Sequence, residues 1–232
     1  MTPRRLLAWL VHFYTALGAV IAFIAILYIE RLGFREAFLL MALAVFIDAS
    51  DGTLARWTRV KELLPGFDGD RLEDIIDYLN YVMVPSLLLV RAELLPQQDA
   101  VWLVAFPLVA SAYGFCQKEA KTADHFFLGF PSYWNVVALY LYVLGAPLWF
   151  NAFLLLIFSI LVFVPLRYVY PSRSPYYRAL TNILGIAWGI AVLAIIYLLP
   201  EPPRALVYGS LFFPIYYVCL SLWLETRRVM SR

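Results

Sequence analysis

Half of the acidic residues in this 232-residue chain fall within thirty positions. They are Asp48, Asp51, Glu62, Asp68, Asp70, Glu73, Asp74 and Asp77. Asp48 and Asp51 stand three apart, directly after the apolar stretch Met41–Ile47, and on a helix they share a face. Asp70, Glu73, Asp74 and Asp77 stand at 0, 3, 4 and 7, one helical stripe that leads into another apolar run. Carboxylates of one sign repel at close range, and each ionisable group at membrane depth costs roughly 2.5–3.5 kcal/mol on insertion scales. Bound cations relieve both costs. An all-oxygen donor set without His or Cys suits Mg²⁺, Mn²⁺ or Ca²⁺. Four or more carboxylates accommodate two such ions, and paired divalent ions suit phosphoryl chemistry. A plainer account favours Glu62, Asp68 and Asp70 as solvated loop residues balancing Arg59, Lys61 and Arg71.

Two helices must bring the stripes together, and the composition indicates the medium in which they do so. Hydrophobic residues make up 63% of the chain, charged residues 15%, and the mean hydropathy is +0.77. A soluble domain of this size could not hide that much apolar surface, so a water-soluble enzyme and a disordered chain are both excluded. The 17 Phe, 16 Tyr and 7 Trp suit membrane interfaces. Cys116 and Cys219 lie in apolar stretches and indicate neither a disulfide framework nor a zinc site.

Apolar runs place eight spans at Leu6–Ile29, Glu36–Arg56, Glu73–Leu94, Ala100–Cys116, Ser132–Leu144, Phe150–Val169, Ala179–Leu199 and Leu206–Leu224. The fifth is short and has Phe126–Pro131 beside it to borrow from. The first follows Arg4 and Arg5 and is too long for a signal-peptide core, so it reads as a retained span. With the N-terminus inside, 14 of the 18 Lys and Arg fall on the inner side, which places both termini in the cytoplasm. The predicted fold is an all-α, polytopic transmembrane helix bundle of about eight spans, one domain over residues 1–232. Pro165 and Pro214 fall inside apolar runs and are expected to mark kinks.

Asp48–Arg56 reads D-A-S-D-G-T-L-A-R, and F-D-G-D-R-L-E-D-I-I-D follows. This resembles the signature of the CDP-alcohol phosphotransferase family, D-x-x-D-G-x-x-A-R followed by G-x-x-x-D-x-x-x-D. Asp48, Asp51, Gly52, Ala55 and Arg56 match every fixed position of the first half. The second half has two registers. Gly66, Asp70 and Asp74 match it literally, whereas Gly69, Glu73 and Asp77 match it with Glu in place of the first Asp. E-D-I-I-D-Y-L-N-Y-V-M-V-P-S, with Pro85 eight residues after Asp77, resembles the serine branch of the family and favours the second register. The opening V-H-F-Y-T-A-L-G-A-V and the block D-H-F-F-L-G-F-P-S-Y-W-N (Asp124–Asn135) resemble its choline branch.

The resemblance implies transfer of a phosphatidyl group from CDP-diacylglycerol to a small alcohol, here choline, with release of CMP. It implies one or, more naturally, two divalent ions, Mn²⁺ or Mg²⁺, held by Asp48, Asp51, Glu73 and Asp77, with Asp74 able to share the role. Asp77 is the implied general base for the alcohol. Gly52, Ala55, Arg56 and Gly69 are the implied nucleotide and phosphate contacts: the small residues admit the donor, and the guanidinium grips a phosphate. A quaternary ammonium favours aromatic faces, and Tyr78, Tyr81, Tyr133 and Trp134 stand near the inner side. His12 and His125 are expected to be packing or interfacial residues. The implied location is the bacterial inner membrane with the site on its cytoplasmic side. The implied partners are membrane lipid and the two substrates, not nucleic acid, and a homodimer is compatible with the sequence. Serine, inositol or glycerol phosphate as the alcohol would draw on Lys118, Lys121 or Arg173. A cation transporter would instead need acids spread through the bilayer depth.

Overall fold

The computed structural model describes residues 2–117, 122, 126–170 and 176–230, Val229 by its backbone only. Lys118, Lys121, Asp124, His125 and Arg173, named above, lie outside the described residues. The chain is helical nearly throughout. In order come α1 (Pro3–Glu30), α2 (Phe34–Thr58), α3 (Val60–Leu63), α4 (Gly69–Tyr78), α5 (Val84–Arg91), α6 (Ala100–Cys116), α7 (Trp134–Leu144), α8 (Leu148–Phe163), α9 (Arg178–Tyr197), α10 (Arg204–Ser210) and α11 (Phe212–Met230). Two short strands, β1 (Phe126–Leu128) and β2 (Arg167–Val169), pair antiparallel with Phe127 opposite Tyr168.

Four helices are long and apolar enough to cross a membrane: Pro3–Glu30, Phe34–Thr58, Arg178–Tyr197 and Arg204–Arg228, the last running through the α10–α11 junction. Their outward side chains are large and apolar, among them Phe13, Phe23, Phe46, Ile186 and Ile190. Exposed apolar surface on this scale suits lipid rather than water. The chain is an all-α membrane protein in class, with one small β ribbon that the sequence reading did not include.

Local chemistry sets the ends of the elements that carry the acids. Thr2 caps α1 by accepting from the Arg5 N–H, with Pro3 in the first turn, where a missing N–H costs nothing. Asp68 caps α4 by accepting from the Arg71 N–H at 3.0 Å. Between α4 and α5 the helix does not stop: Leu79–Met83 forms a π-helical turn, flanked by right-handed residues on both sides. The Asn80 side chain sits in this turn and donates to the carbonyls of both Ile76 and Gly18, tying the third apolar run to α1. α1 packs most extensively against α2. The buried side of α1 carries small residues, Ala8, Gly18, Ala22 and Ala25, which let neighbouring helices approach closely. A Cβ on Gly18 would collide with Ile76.

Two sequence expectations are corrected in the second half. The sixth apolar run does not stay helical to Val169. α8 ends at Phe163, Val164 is extended, and Pro165 follows. The residue before a proline is pushed out of the helical region, and the chain continues as β2 rather than kinking. Phe126–Pro131, beside the fifth span, is likewise not helical. It forms β1 and an extended segment whose Gly129 and Phe130 N–H groups bond to the carbonyls of Leu166 and Leu161. The second of these bonds satisfies a carbonyl in the last turn of α8, where carbonyls lack helical partners. Gly129 has φ +82°, and a Cβ there would strike the Val162 carbonyl, so a glycine fits that approach. Pro214 falls in the first turn of α11, just after the break at Leu211, where a missing N–H costs the helix no bond.

Candidate active site

The C-terminal half of α2 and the first turns of α4 lie at one end of the bundle, against the N-terminal half of α1. There the acids converge. Asp48, Glu73 and Asp77, all half-buried, each offer one carboxylate oxygen within 4.8 Å of the others. Glu73 and Asp77 are one helical turn apart on α4, and Asp48 faces them from α2. Glu73 and Asp77 are the two acids of the second motif register, and Asp48 opens the first half of the motif.

The remaining acids separate by environment. Asp51 is 5% exposed and accepts the Thr15 hydroxyl from α1 at 2.7 Å. Asp74 is half-buried on α4. Asp70 points to solvent and pairs with Lys61 at 2.7 Å, both side chains largely exposed. Arg59 with Glu62 and Arg71 with Asp68 make similar surface pairs, at 3.9 and 3.6 Å. Glu62, Asp68 and Asp70 are thus the charge-balancing surface residues that their basic neighbours suggested, and Asp70 is apart from the Asp48–Glu73–Asp77 group.

The glycines differ in the same way. A Cβ added at Gly52 would meet only Arg56 Nη1, at 3.3 Å, so the helix surface there is open apart from a mobile-ended guanidinium. Arg56 is exposed and bonds Thr53 Oγ1 at 3.0 Å. Ala55 turns inward, against a small core of Ala8, Val11, Val60 and Leu64. Gly69 faces protein: a Cβ there would lie 2.6 Å from His12 Cε1. His12 itself is 8% exposed, its ring 4.4 Å from that of Phe67 and 6.0 Å from that of Trp9. It is a packing residue that lets α4 begin flush against α1.

Of the four aromatic residues singled out by sequence, two join the acids and two do not. The Tyr81 hydroxyl, from the π-helical turn, donates to Asp48 Oδ2 at 2.7 Å. Tyr133, just before α7, interacts electrostatically with Asp48 and Asp77. Tyr78 instead donates to the Leu108 carbonyl of α6 and packs edge-on to Phe115. Trp134 is wholly buried, and its Nε1 donates to Ser111 Oγ at 2.7 Å. These two side chains hold helices together.

Sequence reasoning did not single out Thr15, although it lies within the V-H-F-Y-T-A-L-G-A-V segment whose resemblance was noted. His12, Thr15 and Gly18 follow one another at helical spacing and meet Gly69, Asp51 and Ile76 in turn. The segment is thus the surface of α1 on which both acidic helices rest. Thr15→Val removes a donor from a buried carboxylate, and is expected to cost about 1.5–3 kcal/mol, the range for a hydrogen bond to a charged group. Thermal unfolding in detergent should show the loss, with Thr15→Ser close to wild type.

Chemically, three half-buried carboxylates this close make a hard-oxygen site. Ligands that share one ion at about 2.0–2.6 Å stand up to about 4–5 Å from one another, so the triad fits a divalent cation. Helix α2 presents an open glycine and an exposed arginine beside it, suited to a phosphate-bearing ligand.

No protein-family model matches the chain. Curated relatives are similar along most of it. The phosphatidylcholine synthase of Legionella pneumophila is 41% identical over 223 residues, 93% of this chain and 88% of that protein. That of Legionella bozemanae is 46% identical over 169 residues, 70% of this chain and 78% of the relative. That of Pseudomonas aeruginosa is 35% identical over 230 residues, 98% of this chain and 96% of the relative. With this level of identity along nearly its whole length, the chain belongs to the phosphatidylcholine synthase family.

Proposed function

We propose that the protein condenses CDP-diacylglycerol with choline to give phosphatidylcholine and CMP, at the cluster formed by Asp48, Glu73 and Asp77. The observation that carries this reading is the mutual approach of those three carboxylates beside the open Gly52–Arg56 surface. The choline oxygen attacks the phosphorus that bears diacylglycerol, the bridging P–O bond breaks, and CMP leaves with its electrons. The hydroxyl proton passes to a carboxylate oxygen of Asp77. Tyr81 holds the Asp48 carboxylate and Thr15 holds that of Asp51, which fixes two of the acids before any substrate arrives.

Asp48, Asp51, Glu73 and Asp77 would hold one or two divalent ions, Mn²⁺ or Mg²⁺, with Asp74, next to Glu73 on α4, as a further candidate ligand. What such ions supply when bound is neutralisation of the donor's pyrophosphate charge and of the developing charge on CMP. Arg56 grips a donor phosphate, and Gly52 lets it approach the helix. Gly69 acts at one remove, by seating α4 on His12.

The chain is read as crossing the bacterial inner membrane eight times, with both termini and the acid cluster on the cytoplasmic side. The excess of Lys and Arg on that side supports the orientation. α7 has 11 residues and covers about 16 Å. It crosses together with the extended segment before it, whose backbone is paired with α8 and β2 as non-helical backbone at membrane depth must be. The acyl chains of the donor stay in lipid while its headgroup reaches the acids.

The test is an acceptor panel. Purified protein is given CDP-diacylglycerol, Mn²⁺ or Mg²⁺, and in turn choline, serine, inositol and glycerol 3-phosphate. CMP release with formation of phosphatidylcholine is expected with choline alone. Turnover with another alcohol and none with choline would overturn the reading.

A further inference from the structure

A second recess lies at the end of the bundle where α1 begins and α2 ends. It encloses about 470 Å³ between Arg4 and Leu7 of α1, Trp57 in the last turn of α2, and Arg59, Glu62 and Leu63 at the turn into α3. None of Asp48, Asp51, Glu73 or Asp77 lines it. Its base is fixed. Arg59 ends α2 in the left-handed region, φ +52°, which turns α3 back beside α1, and Ala8 and Val11 of α1 are buried with Val60 and Leu64. Its rim is open and basic. Arg4 is exposed and has no acidic partner among the described residues. Arg59 is paired with Glu62 at 3.9 Å, both side chains largely exposed, a pair long and solvated enough to yield to a better partner. Trp57 is 75% exposed.

The surface beside the recess is apolar. Leu10 follows Leu7 by one turn of α1, and Phe46 shares the face of Trp57 three turns away on α2, both of them exposed. A ligand seated here meets two guanidiniums at its polar end and an apolar track beyond them. Arginines hold phosphate oxygens through paired N–H donors. Exposed indoles settle at the headgroup level of a bilayer, and basic pockets at the ends of spans take anionic headgroups. Two arginines less one glutamate leave the rim one net positive charge, the complement of a headgroup with one net negative charge. A zwitterionic lipid brings no net charge to it.

We propose that this recess binds the headgroup of an anionic phospholipid of the surrounding membrane, its phosphate between Arg4 and Arg59 and its acyl chains along Leu10 and Phe46. The site is separate from the one assigned to donor and acceptor, and it stands whether or not that assignment holds. A lipid here bridges the first turns of α1 and the end of α2, the two helices that Thr15 and Asp51 join deeper in the bundle.

The test is native mass spectrometry of the purified full chain in detergent, titrated with dioleoylphosphatidylglycerol, which reads the dissociation constant of the first lipid bound. Arg4→Gln and Arg59→Gln are each expected to weaken binding about fivefold, and together about twenty-five-fold, the worth of one and of two basic side chains at a charged membrane surface. Glu62→Gln should tighten it about threefold, because it frees Arg59 and removes the opposing charge. Misfolding cannot produce that gain. Dioleoylphosphatidylcholine should bind about tenfold more weakly than the anionic lipid. Glycerol 1-phosphate in excess should not displace the lipid, and Arg56→Gln, at the donor surface, should leave its dissociation constant unchanged. Equal affinity for the two lipids, or a constant that ignores Arg4 and Arg59, would overturn the proposal. So would a constant that moves with Arg56 instead, which would put the lipid in the donor site, or displacement by glycerol 1-phosphate, which would make the ligand a soluble phosphate.

Discussion

Asp77→Asn is expected to lower CMP release by about 10²–10⁴-fold, the usual worth of a positioned general base. The same change removes a charge from the only cluster of three mutually close acids among the described residues, so the upper part of that range applies. Asp48→Asn and Asp51→Asn should be similarly severe. Neither should harm insertion, since a lost charge makes a span cheaper to insert. Glu73→Asp should keep much of the activity, because it restores the residue usual in the family signature, although its shorter side chain draws the carboxylate back by about one bond. Asp70→Asn should change little, within about twofold. Its partner Lys61 is exposed, and a surface pair of this kind contributes about 0–1 kcal/mol. If the literal register with Asp70 and Asp74 governed, the order would invert: Asp70→Asn and Asp74→Asn would be dead and Asp77→Asn mild. Steady-state CMP release at matched protein and saturating metal separates the two orders. Equal loss in all variants would mean that the acids act as one electrostatic unit rather than in separate roles.

Much of the site is legible in the sequence because its parts are local. Asp48 and Asp51 on one helix, and Glu73 and Asp77 on the next, need only helical spacing and a short connection to meet. The exposed fate of Asp70 also follows locally, from the basic residues around it. The length of the apolar runs likewise foretells α1, α2, α9 and the α10–α11 span. What escapes is set by contacts between distant segments. Thr15 reaches Asp51 across 36 positions, and its role depends on which face α1 turns to α2. The Tyr217 ring packs edge-to-face on Tyr133 from the far end of the chain, centroids 6.3 Å apart. Val164 reads as part of a span from hydrophobicity alone, and Phe126–Pro131 as a stretch the fifth span could borrow, since an apolar run does not reveal its period when both faces are buried. Pro165, Gly129 and Pro131 were the signals that the chain becomes extended there. Trp134 shows the opposite limit: an aromatic residue at an expected interface is consumed by Ser111 and the core, which sequence position alone does not disclose.

Removing divalent ions is expected to stop the reaction altogether. Three carboxylates share a half-buried space at the end of two helices, and the donor brings a further pyrophosphate charge into it. Without a cation the donor meets the repulsion of these carboxylates, which strengthens as water is excluded. Loss of metal should therefore abolish turnover rather than merely weaken choline binding, and the fold should survive, because the core lies elsewhere, around Phe38, Leu88, Leu155 and Trp134. Asp48→Asn should raise the metal concentration needed for half-maximal rate, whereas Asp70→Asn should not. The most direct measurement takes protein stripped of metal, holds it in excess EDTA with CDP-diacylglycerol and choline, and follows CMP release before and after Mn²⁺ or Mg²⁺ is supplied beyond the chelator. No CMP before addition, and CMP with an equal amount of phosphatidylcholine after it, is the predicted result; full turnover in the chelator would contradict the account.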